Sequence, residues 1–545
     1  MTATSDPITI ALTGALPFAL FAGVSIACPL AIGLLRLYRR AVVRAMNQQS
    51  GADWVTRPAA TAGLPPESAL QFEQHSPAAQ WSDVPSARTR RAAVIQAVSV
   101  AAFAAILTCA WLVSTRDGRI GPVKLAMIFW TYFWPAVLVV NMVASVDRKT
   151  RLQVALGYFA LLLAITVVAL SRSQDLTVGQ VLLFWVLING PPTALLGGFL
   201  IRRVRAVGPL VLAFTVLAVI GALLLSALVG SSAAAMRTVV TIGIAVGLGG
   251  TAIYWAQLVA GFALFAVGGW YLLKRLGAGY AAQRFSDETL TLDTAVLCFG
   301  MTQAVSLVFE HWGWITSAFV AFAGYKAVSV AGRRWQVPVQ TPRRLLLLRV
   351  FALGRRSESL FDALRRRWLR AGPIALIAGP DLATSAIEPH EFLSFLSGDL
   401  SRTFVSGDDD LARRVDTMAR RPDPDGRYRV TEFFCRSDSW QPTMRRLVAE
   451  SDAVLMDLRG FGKSNQGCIY ELGRLLDEIE LGRVLFVVDG TTNRADFETT
   501  LAGLWKNIAA ASPNRRVAAP TVRSLAVTEP TAVEVRALLG MLGMT

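Results

Sequence analysis

Charge is scarce in this chain: 17% of its 545 residues are Asp, Glu, Lys or Arg, against 53% hydrophobic residues and a mean hydropathy of +0.46. Such a composition excludes an ordinary soluble globular protein of this length and points to the bilayer. Histidine is scarcer still. The three, His75, His311 and His390, fall in three different segments, which argues against a histidine-rich metal site. The five cysteines, Cys28, Cys109, Cys298, Cys435 and Cys468, are far apart and mostly inside apolar stretches. Neither a disulfide framework nor a paired-cysteine zinc motif fits that spacing. Acidic residues are outnumbered, 38 against 54 Lys and Arg, leaving +16. In a soluble chain this excess would suggest nucleic acid, but in a membrane chain it is first a matter of sidedness.

What is present is a series of long uncharged runs. A spanning helix needs about 20 apolar residues to cross roughly 30 Å of hydrocarbon, because lipid offers the backbone no hydrogen-bond partner. The first run, Ile8 to Leu35, is followed by Arg36, Arg39, Arg40 and Arg44. A cleaved signal peptide carries its charges before the apolar run, so this reads as a retained helix with its N-terminus outside. Further spans are expected at Ala92 to Ser114, Leu125 to Val146, Leu152 to Leu170, Val178 to Leu200 and Val207 to Val229. Alternate connections are basic (Arg88 to Arg91, Arg148 to Arg151, Arg202 to Arg205), so much of the positive charge is topological. Thr238 to Leu273 is too long for one straight span. Gly243, Gly247, Gly249 and Gly250 mark a break, predicting a short interfacial or re-entrant helix and then one span near Thr251 to Leu273. A hairpin, Leu290 to Phe309 and Trp314 to Ala331, completes about nine spans in residues 1–335. The expectation is a multi-pass protein of the plasma (inner) membrane with its C-terminal domain, 342–545, in the cytoplasm.

Transport needs polar sites at membrane depth, and these helices offer few. Asn189-Gly190-Pro191-Pro192 is expected to break the fifth helix, since each proline removes an amide donor. Asp293 and Lys326, the opposite charges within the last hairpin, are predicted to lie close enough in depth to pair. The Pro-rich stretch 46–87 reads as a flexible cytoplasmic insert.

From about Pro342 short apolar runs alternate with amphipathic ones, the pattern of an α/β Rossmann-like domain with a mainly parallel sheet. Strands are predicted at Leu345 to Phe351, Ile374 to Ala378, Arg429 to Phe434, Ala453 to Leu458, Arg483 to Val488 and Val522 to Val527, with helices between them. Ligands of such sheets bind beyond the carboxyl ends of the strands. The richest stretch there runs from Ser451 through Asp457-Leu458-Arg459-Gly460-Phe461-Gly462-Lys463-Ser464-Asn465-Gln466-Gly467-Cys468 to Glu471 and Gly473. It predicts a buried strand, a glycine-rich turn and a helix bearing Glu471 near its start. Asp457, Gly460, Gly462, Ser464, Asn465 and Gly467 are the candidates to hold a nucleotide, through backbone amides and the helix N-terminus. A carboxylate at Glu471 could stabilise positive charge on a ribose as an N-glycosidic bond breaks, or attack that carbon.

This string resembles two related families. Cys468-x-x-Glu471-Leu472 after a strand opened by Ser451-Asp452 is similar to TIR domains, and Gly467 with Glu471 and Gly473 is similar to the nucleoside 2-deoxyribosyltransferases. The resemblance covers about Arg429 to Asp489 and implies a flavodoxin-like or TIR-like fold. It also implies that Glu471 is the catalytic glutamate of an N-glycosidic-bond hydrolase or transferase, with NAD or a nucleoside as the ligand. TIR-like domains often act when clustered, so self-association goes with that reading.

Three functional readings follow. The leading one is a membrane-anchored sensor or effector that binds or cleaves a nucleotide. Its alternatives are a non-enzymatic signalling or scaffold protein with a nucleotide- or partner-binding domain, and a transporter with a regulatory domain. No metal or required cofactor is expected: Asp408-Asp409-Asp410 opens a helix where carboxylates cap amides. Gly462-Lys463-Ser464 lacks the P-loop's earlier glycine, whose place Asp457 takes. Arg365, Arg366, Arg367 and Arg370 suit anionic headgroups better than nucleic acid.

Overall fold

A computed structural model describes residues 7–49, 68–75, 84–115, 121–144, 148–171, 177–199, 207–308, 310–336, 341–350, 355–378 and 389–543, with Trp54 and Pro66. The chain forms two compact units. One comprises Met1–Leu37, Arg90–Gln336 and Ile387–Leu393, and the other Tyr38–Thr89, Val337–Ala386 and Ser394–Thr545.

The first unit is helical, and α1 (Pro7–Met46) opens it. Then come α2 (Val84–Thr115), α3 (Pro122–Tyr132), α4 (Trp134–Val143), α5 (Arg148–Leu170), α6 (Val178–Phe199) and α7 (Gly208–Ser231). After these come α8 (Ala233–Ala245), α9 (Gly250–Ala281), α10 (Asp287–Val308) and α11 (Thr316–Gly332). Eight helices among the described residues are long and apolar enough to cross a membrane, α3 and α4 counting as one and α8 being too short. The protein is therefore read as a membrane protein. The remaining predicted span, Ile8 to Leu35, lies in α1, most of whose first 22 residues have side chains outside the description.

Two local predictions meet different fates. Thr238 to Leu273 resolves as a short helix and a long one, α8 and α9, with Gly247 at φ +78 between them, as its glycines suggested. Asn189 to Pro192 does not break its helix. α6 runs through both prolines, and the lost amide bonds are the only interruption. Asn189 is held there by Gln303 Nε2, which donates to its side-chain oxygen at 3.1 Å, and Trp134 Nε1 donates to Thr193 Oγ1 at 2.8 Å. The predicted charge pair forms, with Lys326 Nζ 2.7 Å from Asp293 Oδ2.

Helices in lipid associate through close packing of small residues, since lipid is as apolar as leucine. α7 and α9 meet in this way at Gly221, Ala222 and Gly261. A Cβ at Gly261 would lie 2.6 Å from the Gly221 carbonyl oxygen and 2.9 Å from Ala222 Cα, so backbone would have to move. Gly261→Val is expected to destabilise the bundle by about 1–3 kcal/mol. Gly268→Val on the same helix, where a Cβ meets nothing within 4 Å, should be nearly neutral. Denaturant titration of the purified protein separates the two.

The second unit is an α/β domain on a seven-stranded parallel sheet. Its strands are β1 (Gln71–His75), β2 (Leu345–Arg349), β3 (Ile374–Ala378), β4 (Val430–Phe434), β5 (Ala453–Asp457), β6 (Val484–Val488) and β7 (Thr521–Ala526), ordered β1-β7-β6-β5-β2-β3-β4. Its helices are α12 (Arg355–Trp368), α13 (Pro389–Leu396), α14 (Asp408–Asp416), α15 (Trp440–Glu450), α16 (Gln466–Glu478), α17 (Arg494–Lys506) and α18 (Ala532–Met541). Strands buried on both faces read as continuous apolar runs, and β2, all five residues buried, is Leu-Leu-Leu-Leu-Arg. Leu346 and Leu348 join the core beneath α14 to α17, whereas Leu345 and Leu347 join the core with α12 and α18. Helices thus cover both faces.

Two expectations are corrected here. The strand order β4-β3-β2-β5-β6-β7 is the six-stranded doubly wound order 3-2-1-4-5-6, not the five-stranded flavodoxin-like order that a TIR-like fold requires. The difference comes from β4, which extends the sheet outward beyond β3 before the chain crosses back to β5. The Pro-rich insert, in turn, is not simply a flexible linker. Its Gln71–His75 pairs in parallel with β7 as the edge strand, Phe72 and Trp54 pack on the core, and Trp505 Nε1 donates to the Ser68 carbonyl at 2.8 Å. Tyr38, near the end of α1, is fully buried, edge-on to Phe395 at 5.4 Å.

Candidate functional site at the switch point of the sheet

From β2 the chain winds outward through β3 to β4. It then crosses to β5 and winds the other way. β2 and β5 are neighbours in register, Arg349 opposite Asp457, so the strand order reverses between their carboxyl ends. Loops leaving such a point diverge to opposite faces and leave a crevice, the general ligand site of open α/β sheets.

Asp457 ends β5 and is 3% exposed. Its carboxylate accepts from Arg459 Nε at 2.8 Å, Arg459 Nη2 at 2.7 Å and Ser357 Oγ at 3.0 Å. Arg459 is itself fully buried and donates to the Arg356 carbonyl at 3.0 Å. After this pair the chain turns at Gly460, whose φ of +73 is a conformation glycine adopts without strain. Arg356 continues the chain of charges to Asp489 at the end of β6. Asp457 therefore ties the loop after β5 to α12. Its carboxylate is engaged within the protein.

The glycine-rich loop is also partly self-bonded. Phe461, buried, donates its amide to the Leu458 carbonyl at 3.0 Å, and Gly462 donates to Asn465 Oδ1 at 2.8 Å. Asn465 is the N-cap of α16, yet its side chain serves Gly462 and caps no amide of the helix. The first turn of α16 thus has no side-chain cap, and a Cβ at Gly462 or Gly467 would meet nothing within 4 Å. Ser464 is exposed beside them, and Lys463 pairs with Asp496 at 3.2 Å. Of the predicted nucleotide-holding residues, Gly462, Ser464, Asn465 and Gly467 thus gather at the start of α16, and a helix N-terminus without a side-chain cap is the kind of end that suits an anion. Gly460 shapes the turn.

Glu471 occupies the inward face of α16, one turn beyond Cys468 and beside Leu472 and Leu475, all buried. It is 2% exposed, and its Oε2 has no hydrogen-bond partner among the described residues. Burial pushes its carboxyl up to about 8, while the Arg349 guanidinium opposes the rise. At neutral pH the group is mostly the uncharged acid. Cys468 Sγ lies 3.9 Å from the Arg349 carbonyl, which fixes the start of α16 over the end of β2. Trp440 and Tyr470 flank the helix edge-on at 5.3 Å, with Arg474 over the tyrosine ring.

Arg349, Arg459 and Ser357 were not singled out from sequence. The signal was present for two of them: an arginine ending an otherwise all-leucine strand, and an Asp-x-Arg spacing where a buried strand stops. No group of three or more His, Cys, Asp or Glu that could hold a metal occurs among the described residues. Asp410 of the acidic run is engaged with Arg413, Arg414 and Ser406. Neither a protein-family model, nor a curated protein, nor a solved structure matches the chain.

Proposed function

We propose that the protein is a membrane-anchored sensor or effector whose α/β domain, on the cytoplasmic side, takes a nucleotide such as NAD in the crevice above β2 and β5. The observation that carries this reading is Glu471. A buried carboxyl whose Oε2 has no hydrogen-bond partner among the described residues costs free energy, and folds often retain such groups where a ligand or a reaction uses them. The doubly wound strand order supports the same place, since dinucleotides bind across the switch point with phosphate on a helix N-terminus. The basic flanks of the spans support the cytoplasmic side.

In this reading the open first turn of α16 receives phosphate, and Glu471 meets the ribose. A neutral acid donates a hydrogen bond to a ribose oxygen. The cationic nicotinamide ring of NAD instead favours the ionised form, so binding releases a proton. If cleavage follows, the carboxylate stabilises the positive charge on the ribose as nicotinamide departs with the bonding electrons. Water then adds to that carbon, giving the hydrolysed sugar and a proton. The protonated resting state of Glu471 favours the binding role over the nucleophilic one.

The test uses the full-length protein in detergent, titrated with NAD and with nucleosides by calorimetry, while base release is followed by chromatography. Binding by both wild type and Glu471→Gln without base release supports a sensor. Release by wild type that Glu471→Gln abolishes supports an effector. Absence of binding to every nucleotide tried rejects both and leaves a partner-binding module.

A further inference from the structure

The helical unit holds an elongated cavity of about 1040 Å³ bounded by α6, α7, α9, α10 and α11. Its lining runs along α10 from Leu290 to Ser306, about 24 Å at 1.5 Å per residue, which is most of the thickness of a bilayer's hydrocarbon core. Almost every side chain on it is apolar. Phe184, Leu187 and Phe319, on its walls, are more than half exposed on surfaces that in a membrane meet lipid, so the cavity is reached sideways from the bilayer.

Its polar features are few and placed unevenly. Asp293 lines the end nearest the start of α10, and its partner Lys326 is not on the lining, so the carboxylate of the ion pair is the member that meets an occupant. Leu187, Ile188, Pro191 and Pro192 share the facing wall on α6. Because proline cannot donate, the Leu187 and Ile188 carbonyls lose their usual helical partners four residues on, and in lipid a carbonyl without a donor is costly.

We propose that this cavity is a binding site for a bilayer amphiphile with an acyl tail and an ammonium head group. The tail fills the long apolar lining, and the head donates hydrogen bonds to Asp293 at one end. A carboxylate accepts about four hydrogen bonds, so it can hold Lys326 and an ammonium together. A quaternary head group has no N–H to give, which makes the site selective between two common lipid head groups of similar size.

The experiment reconstitutes the full chain in bilayer nanodiscs with a trace of lipid carrying a photoreactive acyl chain, either phosphatidylethanolamine or phosphatidylcholine. Labelled peptides are mapped by mass spectrometry. The ethanolamine probe is expected to label α6 and α10 about tenfold more than the choline probe, and excess unlabelled phosphatidylethanolamine should compete it away. Asp293→Asn combined with Lys326→Gln, which leaves no lone charge, should bring the two probes level. Ala213→Trp, which fills the cavity from α7, should abolish labelling there while leaving labelling of exposed Leu156 and Leu163 on α5 unchanged. Thr302→Trp fills it from α10 should the first variant not fold. Equal labelling by both probes, or labelling that neither filling variant removes, would mean annular lipid only and overturn the proposal.

Discussion

Glu471→Gln should make the α/β domain more stable, and the gain should grow with pH. In the folded protein burial pushes this carboxyl up to about 8 from an ordinary value of 4.5. Between those values the folded state keeps a proton that the unfolded state has released. The contribution of this group to wild-type stability is therefore full below about pH 4.5 and falls as pH rises, by about 1.4 kcal/mol per pH unit, until it levels above about pH 8. Glutamine never ionises and removes this slope. Alkylation of Cys435, which is buried in the core of this domain, reports its opening when wild type and variant are compared at each pH. The variant should be protected about tenfold at pH 5.5 and by orders of magnitude at pH 8.5. A pH-independent difference between them would mean that Glu471 is charged when folded.

The second large effect is expected at Arg459. This guanidinium and the Asp457 carboxylate are both out of solvent, so deleting one leaves a buried charge with too few partners. Arg459→Met should cost about 3–5 kcal/mol, whereas a buried pair replaced as a unit is often tolerated. Asp457→Asn with Arg459→Met should therefore recover much of the loss. Amide hydrogen exchange across β5 and the start of α12 measures both, since Ser357 and the Arg356 carbonyl share the network. Additive losses in the double variant would show that the two side chains act separately.

Much of this architecture was legible because the patterns that specify it are local. Six strands of the α/β sheet fall within a few residues of positions read from apolar runs and their punctuation, Ile374–Ala378 among them, with helices between them as expected. β1 was missed because Gln71–His75 carries one strongly apolar residue, Phe72, and prolines surround it. An edge strand whose side chains are exposed or half-exposed has no periodic signal, and only its partner β7 makes it a strand. The strand order was illegible for a different reason. Whether β4 lies outside β3 or across the sheet depends on long-range pairing, which a stretch such as Val430–Phe434 encodes equally well for either place.

The site divides in the same way. Glu471 and the open glycines at the start of α16 could be found by spacing, because a helix entered from a buried strand must pass through them. Asp457 looked like a ligand contact from its position at a strand end. Its engagement by Arg459 is a matter of side-chain geometry that spacing does not reveal, and its bond to Ser357 joins residues a hundred positions apart. Arg349 was marked in the sequence as the arginine ending a leucine strand, but its place near Glu471 follows from β2 and β5 being neighbours.

The most direct test of the nucleotide reading is a map of the full-length protein with NAD or a nucleoside bound. Density is expected over the carboxyl ends of β2 and β5, with phosphate at the first turn of α16 and a ribose oxygen within hydrogen-bond reach of Glu471. A saturating nucleotide that leaves this crevice empty, or binds with its ribose away from Glu471, would contradict the account.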